Sequence, residues 1–77
     1  MSQRLPRVTA GEIIRVLEKA GFALARQSGS HKIYKSSTDK RVTVPYHRGK
    51  VLHPKVLANI LKDADLSRED LKNLLLR

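Results

Sequence analysis

The 77-residue sequence predicts an α+β fold, a three-stranded antiparallel sheet with helices packed on one face, and three observations carry that prediction. Two stretches, roughly 10–20 and 54–64, place apolar residues at helical spacing. Between them the period drops to two over three short runs separated by polar turns, as antiparallel strands require. A three-stranded meander is stable only when one of its faces is covered, and two amphipathic helices supply that cover. The predicted order is α-β-β-β-α plus a short C-terminal helix.

Each element has a local reason. The arm from Met1 to Val8, with Arg4 and Arg7 around Pro6, shows no period and is expected to be extended or loosely packed. Thr9-Ala10-Gly11-Glu12 has capping-box spacing, so a helix is expected from about Ala10 to Ala20, with Ile13, Val16, Leu17 and Ala20 inward and Ile14 widening the stripe. Gly21 and Phe22 then suit a left-handed helix end with a hydrophobic residue folding back. From Phe22 the residues Phe22, Leu24 and Arg26 alternate with Ala23, Ala25 and Gln27. The turn Ser28-Gly29-Ser30 leads into a second strand, His31 to Lys35, and completes a hairpin. After the polar turn Ser36 to Lys40, Arg41-Val42-Thr43-Val44-Pro45 is the third strand, ended by its proline.

Tyr46 to Lys50 reads as a basic loop. His53-Pro54 opens the next helix, where a first-turn proline loses no hydrogen bond, and Val56, Leu57, Ile60, Leu61 and Ala64 form its buried stripe. Asp65 is expected to end that helix in the left-handed conformation. Ser67 then caps a last short helix with Leu71, Leu74 and Leu75 inward. In the middle strand, alternation sets His31, Ile33 and Lys35 against Lys32, Tyr34 and Ser36. The pattern alone does not settle which side is open; the preferred phase turns Tyr34 towards the helices and leaves His31 and Lys35 on the open face, because it points one lysine towards the helices and not a lysine and a histidine.

Composition sets the outer bounds. A chain of this length is expected to be one domain, 1–77, with a compact aliphatic core. It has no cysteine, which excludes disulfide scaffolds and thiolate zinc sites. Its apolar runs are far too short for a membrane span, so a cytoplasmic location with no membrane partner is expected. The formal net charge is +9, unevenly spread: Ala20 to Lys62 holds nine basic residues against the single acid Asp39. Such a one-signed field attracts phosphate backbones without specifying a sequence.

The chemistry-bearing candidates lie in this segment. His31 follows a small-residue turn at the mouth of a strand; it either bonds a backbone carbonyl or serves as an acid or base near neutral pH. RNA carries its own nucleophile, because a deprotonated ribose 2′-hydroxyl attacks the adjacent phosphate. Cleavage then requires a base, charge stabilisation and a proton for the leaving oxygen, but no metal. Arg26, Lys32, Lys35, Arg48 and Lys50 are the candidate RNA-binding donors, and the amides of Gly29 and Ser30 are candidates for facing a phosphate. His47 is a candidate acid partner or a solvated loop residue, and His53 suits a cap. Three histidines spaced sixteen and six apart match no zinc pattern, and no dinucleotide, P-loop or nucleophile motif occurs, so neither metal nor cofactor is expected. Ser30 and His31, being adjacent, would point apart, which removes a serine-histidine pair. Besides an RNA-cleaving enzyme, the same residues allow a non-catalytic module for double-stranded RNA or a basic face for an acidic protein partner.

Gly29-Ser30-His31 with Tyr34, then Arg41-Val42-Thr43-Val44-Pro45-Tyr46-His47, then Ile60-Leu61-Lys62 running into Ala64 and Leu66-Ser67, resemble the HicA-type (YcfA-like) toxins of bacterial toxin-antitoxin systems. The resemblance runs from about Thr9 to Leu75. It implies a fold like that of the double-stranded RNA-binding domain, an mRNA interferase activity with His31 as catalytic histidine, mRNA as substrate and an inhibiting antitoxin of the HicB type. Asp65 stands where that family often has glycine, and Arg48 to Leu52 match its basic stretch only loosely.

Overall fold

A computed structural model describes residues 5–77, and the expected order of elements is present. Helix α1 (Ala10–Lys19) is followed by strands β1 (Phe22–Ser28), β2 (His31–Ser36) and β3 (Arg41–Pro45), then by helices α2 (Pro54–Ala64) and α3 (Arg68–Leu76). The strands form one antiparallel sheet in the order β1-β2-β3. The fold is therefore α+β with helices packed on one face. Both the first and the last helix open on a full capping box, Thr9 with Glu12 and Ser67 with Asp70, which satisfies otherwise orphaned amides. Ala20 is the C-cap of α1 rather than its last residue, and Gly21 follows at φ +97°, a left-handed position open to glycine at little cost. Asp65 closes α2 at φ +59° and is held by Lys40, 3.3 Å from its carboxylate.

The phase expected for β2 is the one observed. Tyr34, Val42 and Val44 are buried against Ile13, Val16 and Leu17 of α1 and Leu57, Ile60 and Leu61 of α2 in one aliphatic core. Leu71 and Leu74 extend that core from α3, whose end is held by the Lys19 ammonium donating to the carbonyls of Leu74, at 3.0 Å, and Arg77. Burial pushes the Tyr34 hydroxyl above its ordinary pKa, and the Glu18 carboxylate adds to the effect.

Three further expectations are corrected. The arm is packed at its end: Val8 is core, its carbonyl accepts from Leu52 N–H at 2.8 Å, and Thr9 bridges Val51. Its first four residues, Arg4 among them, lie outside the described part. Ser28 belongs to β1 and pairs with His31, so the first hairpin turns on Gly29-Ser30 alone. The alternation of β1 breaks between Leu24 and Arg26, where a bulge moves the register. Leu24 stays opposite Tyr34, but Arg26 comes opposite Ile33 and so joins the open face instead of continuing the row of Phe22 and Leu24. Leu24 itself is 51% exposed.

Asp70 links the cap of α3 to pH. The Ser67 backbone N–H, and next its hydroxyl, hold the Asp70 carboxyl below the usual carboxylate range. A lowered folded-state pKa stabilises the native chain above the unfolded value and stops doing so as acid protonates the group. Asp70→Asn should therefore flatten the acid side of the stability curve below about pH 5, measured as urea midpoints of both proteins across that range.

Candidate functional site

One end of the sheet gathers the C-terminus of β1, the start of β2, the end of β3 and the loop that leads into α2. There His31 lies between Ser28 and Pro45, its cross-strand neighbours, with its side chain exposed on the open face. Gly29 has φ +58° and Ser30 does not share that sign, the pattern of a two-residue II′ hairpin turn with glycine first. Space does not require the glycine, since a Cβ there would meet nothing within 4 Å; its conformation does. The Ser30 carbonyl accepts from Tyr46 N–H at 2.6 Å, so the turn before His31 is tied to the chain leaving β3. That bond brings the His47 loop beside His31.

The loop is itself a tight turn. Lys50 N–H donates to the His47 carbonyl at 3.1 Å, and Gly49 has φ +78°, as the third position of a type II turn demands. His47, Arg48 and Lys50 are all exposed. At the entry to α2, His53 caps the helix: its Nδ1 accepts from Lys55 N–H at 3.1 Å, which places the imidazole proton on Nε2.

The candidate cations divide by face. Arg26, through the bulge, lies on the open face one row from His31, and Lys35 is on the same face at the far end of β2. At about 3.3 Å per residue, four residues place Lys35 roughly 13 Å along the strand from His31. Lys32 lies on the other face, in the row of Gln27 and Val44, with its ammonium 4.2 Å from the centre of the Tyr46 ring. On that face its ammonium meets the Tyr46 ring and does not share the row of His31. Ser30 stays in the turn, apart from any nucleophile geometry, and its carbonyl is engaged by Tyr46.

Arg41 was not among the residues singled out by sequence. It pairs directly across from Lys35 on the open face and is exposed. Like charges opposite each other in a sheet oppose folding, and here Asp39, 3.5 Å from Lys35, offsets the repulsion in part. The signal was available in the count of basic residues, but pairing Arg41 with Lys35 needs the β2-β3 register. Among the described residues, no three His, Asp or Glu side chains come together as metal ligands, and no helix is long and apolar enough to cross a membrane.

Gly29→Val should cost about 1–2 kcal/mol through its positive φ alone and should move the amide signals of Ser28, His31 and Tyr46. A denaturation midpoint and a ¹⁵N correlation spectrum check both.

A family model described as HicA toxin of bacterial toxin-antitoxin matches residues 10–66, more than half of the chain. The matched span runs from the start of α1 past the end of α2 and so contains the whole sheet and the loop bearing His47. No curated protein matches the chain.

Proposed function

The chain belongs to the HicA toxin family of bacterial toxin-antitoxin systems, and from that premise we propose that it is an endoribonuclease that cleaves mRNA through His31. The observation that carries the reading is the exposed imidazole at the end of a cationic open face, with the loop of a second imidazole tied alongside by the Ser30–Tyr46 bond. His31 takes the proton of a ribose 2′-hydroxyl, and the 2′-oxygen attacks the neighbouring phosphorus. The bond from phosphorus to the 5′-oxygen breaks, leaving a 2′,3′-cyclic phosphate, and the 5′-oxygen receives a proton. His47 is the first candidate for that donor. Arg26, Arg48 and Lys50 neutralise phosphate oxygens near the break, while Lys35 and Arg41 hold the strand farther along. None of these steps calls for a metal or a cofactor.

In-line attack needs a flexible sugar-phosphate link, which favours single-stranded over duplex RNA. In this reading the toxin acts in the cytoplasm, and an antitoxin of the HicB type neutralises it by covering the same basic surface. A non-catalytic double-stranded RNA module is the alternative. His31→Ala separates the two: cleavage should fall by at least about 100-fold while RNA affinity is unchanged, and undiminished cleavage would remove His31 from the mechanism. Induced expression of both proteins in bacteria, read as growth arrest, tests the same point in cells.

Two quantitative outcomes follow from the cationic face. With about five phosphates neutralised on single-stranded RNA, affinity should drop roughly 100-fold between about 50 and 200 mM salt. Arg41→Thr should weaken RNA binding yet raise stability by about 0.2–1 kcal/mol, because it relieves the like-charge pair with Lys35; filter binding and thermal denaturation of the same sample report both signs.

A further inference from the structure

Beside His31 the loop and α2 line an open cleft of about 270 Å³. It is lined by the apolar Pro45, Val51, Leu52 and Val56 and by the polar His47, Lys50 and His53. Pro45 is also the cross-strand neighbour of His31, so the cleft begins about 5 Å, in Cα terms, from that residue. Val51 is 53% exposed, an apolar side chain left open to solvent next to three polar ones. The volume falls below the range of about 300–1,000 Å³ usual for drug-sized ligands, which suits a single ring system.

The polar residues decide what edge such a ring must present. Because His53 Nδ1 accepts from the Lys55 amide, its Nε2 bears the hydrogen and is a donor. Lys50 has only donors, three N–H groups that can serve a phosphate oxygen and a base acceptor together. A ligand held by both must offer acceptors, as guanine does with O6 and N7 side by side, whereas adenine places an amino group at that edge. We propose that this cleft binds one unpaired guanine of the RNA next to the scissile phosphate and so sets where the chain cuts. The proposal rests on the nuclease reading for its consequence, but base binding can be measured without cleavage.

The His31→Ala protein, with its cleft intact, is titrated with guanosine and adenosine 3′-monophosphates while the methyl signals of Val51, Leu52 and Val56 are followed. Guanosine monophosphate should shift these signals and bind at least about fivefold more tightly than adenosine monophosphate. Val51→Asp, at an exposed position, and Val56→Phe, which fills the cleft, should each remove the shifts. With His31 present, the same two variants should still cut RNA while losing the preference for guanine-adjacent sites in a cleavage map. Equal affinity for the two nucleotides, or shifts that survive both variants, overturns the assignment. Methyl signals that respond to neither nucleotide also overturn it and leave the cleft to an apolar side chain of a protein partner. If the protein bearing His31 does not cut RNA, the nuclease reading fails, while the titration still decides what the cleft binds.

Discussion

The period of two along β2 is the constraint from which the rest of the surface follows. Tyr34 is the buried aromatic of the middle strand, and once it points into the helices, His31, Ile33 and Lys35 must point the other way. A slip of one residue would bury His31 with Lys35 and expose Tyr34, which desolvation forbids without partners for those groups. The valines of β3 reinforce the choice, since Val42 and Val44 are fully buried opposite Tyr34 and Lys32. A packing requirement in the core thus settles the position of an imidazole on the surface.

The same sheet carries an electrostatic tension. Arg41 and Lys35 face each other, and Arg26 joins their side only because β1 bulges. A surface selected for stability alone would intersperse signs. Here two acids sit at the turn and at the end of α2, where Asp39 meets Lys35 and Asp65 meets Lys40, away from the end that bears His31. Both pairs are exposed and contribute little to folding. Neither of these two pairs includes Arg26, Arg48 or Lys50.

Much of this architecture is legible in the sequence because its signals are local. Capping residues sit three positions apart in Thr9–Glu12 and Ser67–Asp70, Pro54 marks a helix start, and Asp65 adopts the left-handed end expected of it. The helical stripes and the strand of Arg41–Pro45 likewise show their period within a few residues. His31 and the basic loop after Pro45 can be placed for the same reason, and the turn at Gly29 to within one residue. The role of Val8 cannot, because its burial depends on Leu52, far along the chain.

The sequence by itself determined the α+β class, the order of the elements, the segregation of positive charge and the candidacy of His31, since each rests on spacing or composition within one stretch. Only the tertiary structure decided which cations share the His31 face. The bulge near Ala25 brings Arg26 to that face, the strand register adds Arg41, and the Tyr46 ring engages Lys32 on the other side. It also decided that the His47 loop lies against the turn before His31, through one hydrogen bond between Tyr46 and Ser30, and that the loop and α2 line an open cleft. These are pairings between residues distant in sequence. Their geometry depends on where the backbone shifts register, and the alternation of side chains does not encode that shift.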